Sequence, residues 1–232
     1  MPIFNKRDFN IQTAQQKQDL RDKLELLGEE LVEFAKIACP NRIWGAYVTG
    51  KTYYSEEWGA LYPFNVKGNK DFIINFPYIY YHIPQNGDKV GLAVNCEFKN
   101  TRDMLFRHFN TYTIQRFLLE IQRAKGAKVV ILKKEVLYSD RRVYNWRDLW
   151  DKRNLPEIDV SVCTVDYLNK FFLSINDPPD HKNPDWIWEP VFLVRYEFEH
   201  SKVINNKDVG RLFGEKVLLL APIIEHIVWG LE

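Results

Sequence analysis

Residues 71–99, DFIINFPYIYYHIPQNGDKVGLAVNCEFK, contain two apolar runs that are separated by a short polar turn. The turn carries Asn86 and Gly87, a pair that strongly favours a tight connection between two antiparallel strands. β-Branched and aromatic residues dominate both runs, as is typical of strands. The stretch therefore predicts a β-hairpin, and it makes a β-sheet the centre of the fold.

Helical patterns flank this hairpin on both sides. Residues 13–38 place apolar side chains at three- and four-residue steps, which predicts an amphipathic helix with Thr13 as its N-cap. Residues 43–99 have the composition of strands, and residues 102–125 again have a helical pattern. Residues 127–134 then predict a short buried strand.

The C-terminal part of the chain is expected to extend the sheet. Residues 135–160 are polar and aromatic without a regular period, and residues 184–202, PDWIWEPVFLVRYEFEHSK, contain an apolar run. A tight turn around Glu189 and Pro190 would fold this second stretch into another hairpin. We expect an α/β (α+β) protein with a mixed, mostly antiparallel sheet flanked by helices.

Two segments of the sequence resemble each other. Glu97 and Glu197 each follow an apolar strand and precede a phenylalanine, a charged residue and a predicted helix. Either an ancient duplication or chance explains this similarity. The sequence therefore suggests two related halves, residues 1–134 and 135–232, which can also pack as a single domain.

The composition excludes several classes of protein. Apolar residues make up 46% and charged residues 27%, which are ordinary globular values. The net charge of +1 provides no global basic field for nucleic acid, although a local basic face is compatible with it. The 3 cysteines form no CxxC motif, which argues against a disulfide framework or a structural zinc site. Without a signal-peptide pattern or a long apolar run, we expect a reduced, cytoplasmic protein with no membrane partner.

The first candidate site combines Asp71, Glu97 and Lys99. Residues i and i+2 of a strand project from the same face, so Glu97 and Lys99 are expected to project together. The hairpin folds the Asp71 strand back towards Glu97, and Asp71 needs a bulge or a longer loop to come into register with it. Carboxylates are hard oxygen ligands for Mg²⁺, and a bound metal ion activates water for phosphodiester hydrolysis.

The second candidate site combines Asp185, Glu197 and Glu199. A turn at Glu189 and Pro190 would bring Asp185 opposite Glu197, and Glu197 and Glu199 would share a face. Three ionised carboxylates repel one another, so a divalent cation or a basic partner is expected beside them.

These two arrays resemble the PD-(D/E)xK nuclease superfamily, in which an aspartate, a hairpin and Glu-x-Lys or Glu-x-Glu form the motif. The resemblance covers about 20 residues of the second array and the D…ExK skeleton of the first. It implies a core of helix, three antiparallel strands, helix and a further strand, with Mg²⁺-dependent hydrolysis of phosphodiesters. It also implies metal ligation by Asp185 and Glu197, with Glu199 standing where most members have lysine. A restriction or genome-defence endonuclease acting on DNA rather than RNA is the expected function.

A basic and aromatic segment offers a nucleic-acid contact. Cations attract phosphates and rings stack on unpaired bases, and both residue types alternate here. The candidate residues are Arg141, Arg142, Trp146, Arg147, Lys152 and Arg153. A solvated loop with its rings in the core is the structural alternative. Helix 13–38 could in addition form a homodimer seam, because such nucleases commonly act as dimers.

Other interpretations of the arrays remain open at this point. Glu97 and Lys99 can form a cross-strand salt bridge, which contributes little to stability when it is exposed. The glutamates of the second array can pair with Arg195, Lys202 or Arg211. The chain would then be an inactive nuclease-like or other binding module, whose carboxylates are already neutralised. A third interpretation is a ligand pocket lined by Tyr53, Tyr54, Tyr78, Tyr80 and Tyr81.

Overall fold

The fold is known from a computed structural model. It describes residues 2–48, 57–64, 76–84, 89–97, 99–107, 111–137, 144–148, 157–176 and 186–230. For some residues within these helices and strands only the backbone is described. Asp71, Asp185, Arg141, Arg142, Lys152 and Arg153 lie outside the described residues, as do Tyr53 and Tyr54.

The first helix, α1, spans Ala14–Ala38 and confirms the predicted helix and its cap. The Thr13 hydroxyl accepts a hydrogen bond from the backbone N–H of Gln16, while the Gln16 side chain accepts one from the backbone N–H of Thr13. This reciprocal capping box satisfies N–H groups that a helix start leaves without partners. The leucines at three- and four-residue steps, Leu20, Leu24, Leu27 and Leu31, are fully buried.

The protein is α+β, and its sheet has eight strands in the described part of the chain. The strands are β1 (Gly45–Val48), β2 (Glu57–Tyr62), β3 (Tyr78–Ile83), β4 (Val90–Cys96), β5 (Lys128–Leu137), β6 (Tyr144–Asp148), β7 (Ile158–Asp159) and β8 (Trp186–Phe198). Their spatial order is β1-β2-β3-β4-β8-β5-β6, and β7 pairs with β5 beside β6. Every pair of neighbouring strands is antiparallel.

The hairpin of the opening stretch is confirmed by the pairing of β3 with β4. Tyr78 stands opposite Asn95 and His82 stands opposite Gly91. The predicted division at residue 134 falls inside β5. Because β8 lies between β4 and β5, one sheet contains strands from both predicted halves.

The remaining helices follow the strands in chain order. They are α2 (Lys99–Arg107), α3 (Thr111–Arg123), α4 (Val165–Asn176), α5 (His200–Val203) and α6 (Val209–Trp229), with 3-10 turns at Lys6–Phe9 and Val160–Val162. The single helix predicted for residues 102–125 is thus two helices. The C-terminal apolar run is one helix that continues through Pro222.

The main core lies between one face of the sheet and the helices α1, α3 and α6. Phe117 of α3, Phe192 and Val194 of β8, and Phe213 and Ile224 of α6 are buried in this layer. Helix α6 approaches α1 so closely that a Cβ on Gly214 would come within 2.4 Å of the Phe34 ring. The apolar stripe of α1 is therefore covered by the chain itself, and the expected dimer seam along that stripe is not available.

The opposite face of the sheet has its own smaller apolar clusters. Ala60, Tyr62 and Tyr78 form one of them, with Trp58 and Tyr80 packed against it. Val130, Val191 and Leu193 form another. Glu97, which bonds to Tyr78, and Glu197, which lies four residues beyond Leu193 on β8, also belong to this second face.

Two expectations about the C-terminal part were wrong. No turn exists at Glu189 and Pro190, because residues 186–198 form one continuous strand. Residues 144–148, expected to be irregular, form β6 at the edge of the sheet. In both cases pairing along β5 provides the backbone partners that the local sequence does not reveal.

Candidate functional sites

Glu97 lies at the point where β4 ends, and its side chain is largely buried. Its residue exposure is 8%. The Tyr78 hydroxyl donates to Glu97 Oε2 at 3.2 Å, and Asn95 Nδ2 donates to the Tyr78 oxygen at 3.0 Å. Arg102 Nη1 donates to the backbone carbonyl of Glu97 at 2.5 Å. These bonds fix both the carboxylate and its backbone at the strand end.

Two buried tyrosines near this carboxylate have raised pKa values. Burial raises the pKa of Tyr78 well above its usual value of 10.0, and the nearby charge of Glu97 raises it further. Burial likewise raises the pKa of Tyr62, with smaller contributions from Tyr47 and Glu97. Tyr78 therefore remains protonated at neutral pH and can donate its hydrogen bond.

The partners expected for Glu97 are only partly described. Asp71 lies outside the described residues. Lys99 is the first residue of α2, and only its backbone is described. Because β4 ends at Cys96 and Lys99 opens α2, the strand alternation on which the expected shared face of Glu97 and Lys99 was based does not extend to Lys99.

The second array is not assembled by a hairpin. Trp186 and Glu197 lie on the same strand, eleven residue steps apart. At ~3.3 Å per residue, the strand separates them by roughly 36 Å. Asp185 directly precedes Trp186, so the expected pairing of Asp185 with Glu197 was wrong.

Glu197 and Glu199 lie within a network of basic side chains. Arg195 Nη2 is 2.8 Å from Glu197 Oε1. Lys89 Nζ lies 3.6 Å from Glu197 Oε2 and 3.6 Å from Glu199 Oε1. The two glutamates thus converge on one ammonium group, and the alternative of an ion-paired array is confirmed for Arg195.

The network continues across β8 to β5. Arg195 Nη2 also lies 2.9 Å from Glu157 Oε2, and Lys128 donates to the other oxygen of Glu157. This hydrogen bond is the main reason that the pKa of Lys128 lies above its usual value of 10.5. Three acidic and three basic residues therefore balance in charge around Arg195.

Several partners of the arrays were missed or misplaced by sequence reasoning. Tyr78 was considered only as a pocket residue, although the hairpin register places it on the strand beside Asn95. Lys89 was missed because the pairing of β4 with β8 has no local signal. Arg211, an expected partner, pairs with Glu215 at 3.1 Å instead.

The two arrays lie at opposite ends of one pair of strands. Glu197 stands opposite Gly91, near the start of β4, while Phe192 stands opposite Cys96 at its end. Glu97 follows Cys96 directly, so six residue steps separate it from the position of Gly91. At ~3.3 Å per residue this is roughly 20 Å. A single metal ion shared by Glu97 and Glu197 is thereby excluded.

The tyrosines of the proposed ligand pocket do not share a face. Tyr78 and Tyr80 belong to the second face of the sheet. Tyr81 is buried in the main core, where its hydroxyl donates to the backbone carbonyl of Leu24 at 3.1 Å. A pocket that uses all of them was therefore a wrong expectation.

The basic and aromatic segment is described only in part. Trp146 and Arg147 lie in β6, of which the backbone is described, opposite Lys134 and Lys133 of β5. The other four candidate residues lie outside the described residues. The segment thus contributes an edge strand instead of an irregular loop.

Comparisons beyond the chain leave its family open. Among the described residues, no three histidine, cysteine, aspartate or glutamate side chains are grouped so that they could hold a metal ion. None of the described helices has the length and apolarity to cross a membrane. No protein-family model, curated protein or solved structure matches the chain.

Proposed function

We propose that the chain is a Mg²⁺-dependent nuclease that acts on DNA from the first array, Asp71, Glu97 and Lys99. The observation that carries the proposal is the placement of Glu97. Its carboxylate stands at the end of a central strand and is held there by the hydroxyl of Tyr78. A preorganised carboxylate at a strand end is what an active centre of this kind requires.

The order of elements around Glu97 supports the same proposal. The resemblance implies a helix, three antiparallel strands, a helix and a further strand. The chain has α1, the antiparallel strands β1 to β4, the helices α2 and α3, and then β5. It departs from the implied core in having four strands before α2 and in placing β8 between β4 and β5.

The chemistry of the residues around Glu97 fits a hard cation. A carboxylate oxygen is a preferred Mg²⁺ ligand, and Asp71 would supply a second one. Bound Mg²⁺ would polarise a phosphoryl oxygen and lower the pKa of a coordinated water. Tyr78 keeps the carboxylate of Glu97 oriented, while Lys99 would position the water or the phosphate.

The second array is assigned a different role. Arg195 and Lys89 already neutralise Glu197 and Glu199. A carboxylate with two basic partners has little remaining attraction for Mg²⁺, because the cation would have to displace or approach them. We therefore expect this array to stabilise the junction of β4, β8 and β5.

The test compares two matched variants of the full chain. Glu97→Gln and Glu197→Gln each remove one carboxylate and preserve the size of the side chain. We expect Glu97→Gln to reduce Mg²⁺-dependent cleavage of plasmid and of single-stranded DNA by roughly 100-fold or more. Glu197→Gln should leave cleavage at the wild-type rate. Absence of cleavage above background, or full activity of Glu97→Gln, would overturn the proposal.

The second candidate function is a binding module without catalysis. The observation that favours it is the neutralised second array, which is what an inactive nuclease-like domain is expected to show. Calorimetry with Mg²⁺ alone separates the two functions. Binding that disappears in Glu97→Gln supports the nuclease, whereas no heat of binding in the wild-type chain supports the module.

A further inference from the structure

Asn95 shares the second face of the sheet with Glu97, and both residues contact the same hydroxyl group. Tyr78 stands opposite Asn95 in the pairing of β3 with β4, and its hydroxyl bonds to both Asn95 and Glu97. Asn95 is 7% exposed and Glu97 is 8% exposed. The hydroxyl of Tyr78 therefore lies within hydrogen-bonding distance of a buried amide and of a buried carboxylate.

The direction of these hydrogen bonds determines which end of the Asn95 amide is left over. The Tyr78 hydroxyl has a single hydrogen, which it donates to Glu97 Oε2 at 3.2 Å. Its oxygen can then only accept, so the amide presents Nδ2 to it, at 3.0 Å. Asn95 Oδ1 remains as an acceptor, and in the described part of the chain no donor reaches it.

A second buried polar atom lies in the same cluster and also lacks a partner. The residue is Tyr62, which is fully buried and whose ring centre lies 5.3 Å from that of Tyr78. Its hydroxyl has no hydrogen-bond partner among the described residues. Buried polar atoms without partners are rare in proteins because they are costly. Two of them in one cluster indicate a bound species that the side chains themselves do not provide.

The chemistry of this cluster favours a hard cation as the bound species. Glu97 contributes a carboxylate and Asn95 contributes an amide oxygen, while the hydrogen of Tyr78 is already used. Oxygen acceptors with a negative charge attract a positive ion, and they repel an anion. Carboxylate and asparagine oxygens are the ligands that Mg²⁺ and similar hard cations prefer.

We propose that Asn95 Oδ1 is a ligand of the Mg²⁺ ion that Glu97 binds. The inference rests on the proposed nuclease function, from which the choice of Mg²⁺ follows, and it adds an amide oxygen to the first array. Tyr78 is then a positioning residue, because its hydroxyl orients both the carboxylate and the amide. The amide oxygen adds a ligand without adding a charge, which limits repulsion within the site before the ion binds.

Two substitutions at residue 95 separate the amide oxygen from the rest of the side chain. Asn95→Leu and Asn95→Asp both remove the Nδ2 donor to Tyr78, but only Asn95→Asp keeps an oxygen in the place of Oδ1. The matched control, Asn10→Asp, makes the same chemical change at an exposed residue. Calorimetry with Mg²⁺ alone measures binding to the full chain without DNA, and circular dichroism verifies that each variant is folded.

We expect Asn95→Leu to bind Mg²⁺ roughly tenfold more weakly than the wild type or worse, because even the loss of an outer-shell partner has an effect of this size. Asn95→Asp should bind at least as tightly as the wild type, since a carboxylate replaces an amide as the ligand. Asn10→Asp should bind as the wild type does. In DNA cleavage, Asn95→Leu should need a correspondingly higher Mg²⁺ concentration to reach half of its maximal rate.

Three outcomes would overturn the inference. Wild-type affinity in Asn95→Leu would mean that a buried water, and not the ion, satisfies the amide oxygen. An equal loss in Asn95→Leu and Asn95→Asp would mean that Asn95 acts only by holding Tyr78. The third outcome is that the wild type binds no Mg²⁺.

Failure of this inference is distinct from failure of the proposed nuclease. A chain that binds Mg²⁺ through Asn95 but does not cleave DNA retains the metal site without the nuclease. A chain that cleaves DNA, and whose Asn95→Leu variant binds Mg²⁺ as the wild type does, retains the nuclease without this ligand.

Discussion

Glu97 and Glu197 stand at opposite ends of one pair of antiparallel strands, in nearly the same local sequence. Glu97 accepts a hydrogen bond from the buried, neutral hydroxyl of Tyr78. Glu197 instead forms ion pairs with Arg195 and Lys89 and is partly exposed. The first environment holds its carboxylate by a buried hydrogen bond from a tyrosine hydroxyl. The second environment cancels its charge within a network.

This difference shows that a short motif does not specify an electrostatic environment. Each glutamate precedes a phenylalanine and a charged residue, and each is followed by a helix. Tyr78 of β3 donates to Glu97, whereas Glu197 pairs with Arg195 of its own strand and with Lys89, which directly precedes β4. The side chains around each glutamate, and not the shared Glu-Phe pair, thus determine its electrostatic environment.

The largest expected contrast between the two ends concerns alkaline pH. Tyr62 and Tyr78 have pKa values raised by burial, so the folded chain keeps protons that the unfolded chain loses above about pH 10. Their stabilisation is complete below that pH and declines as the pH rises. The free energy of unfolding should fall by about 1.4 kcal/mol per pH unit for each such tyrosine.

Urea unfolding at a series of alkaline pH values measures this slope. The double variant Tyr62→Phe, Tyr78→Phe should have a shallower slope than the wild type. Lys128→Gln, at the Glu197 end, should change the slope little, because the Lys128 side chain is exposed and solvent screens its ion pair with Glu157. Equal slopes for the wild type and the tyrosine variant would show that Tyr62 and Tyr78 do not cause the loss of stability at alkaline pH.

A smaller effect is expected from removing one hydroxyl beside Glu97. Tyr78→Phe removes the hydroxyl that donates to Glu97 and accepts from Asn95. Both of these hydrogen bonds are buried. The loss of such bonds should lower the free energy of unfolding by about 1–3 kcal/mol near neutral pH. Chemical denaturation measures the loss, with the half-buried Tyr47→Phe as a control. A loss no larger than that of the control would show that the hydroxyl does not hold Glu97.

The smallest effect is expected at the Glu197 end. Lys89→Ala removes an exposed ammonium that lies 3.6 Å from each of two glutamates. Exposed ion pairs contribute about 0–1 kcal/mol, and Glu197 retains Arg195. Denaturation at low salt and at about 1 M salt should show a small loss that disappears when charges are screened. A loss as large as that of Tyr78→Phe would show that the ion pairs of Lys89 stabilise the fold as much as the buried hydrogen bonds of Tyr78 do.

Elements with strong local signals were predictable from the sequence. Helix α1 has a regular apolar period and a capping box at Thr13, so its position followed from the residues alone. The β3–β4 hairpin followed from Asn86 and Gly87 between two apolar runs. Both elements are determined by contacts between residues that are near each other in the chain.

Strand β8 was not predictable in the same way. Pro190 suggested a turn, because proline cannot donate to a strand ladder. In the structure Pro190 lies in the part of β8 that pairs with β5 on one side and with no described strand on the other. Such a position resembles the edge of a sheet, where proline is tolerated. The long pairing with β5 runs from Leu137 opposite Trp186, 49 positions apart, to Lys128 opposite Arg195, 67 positions apart, and no local pattern encodes it. The positions of Glu197 and Lys89 depended on the same distant pairing.

The location of β8 at the centre of the sheet has a consequence for how the chain is made. β4 and β5 are synthesised well before β8, and among the described strands β8 is the one that pairs with the facing edges of both. Until Trp186–Phe198 leaves the ribosome, both strands expose unpaired backbone groups, which are templates for wrong pairing. Such late, long-range closure slows folding and prolongs exposure to aggregation. The sheet therefore cannot close until the C-terminal segment has been synthesised, so the order of synthesis matters for folding as much as the final contacts do.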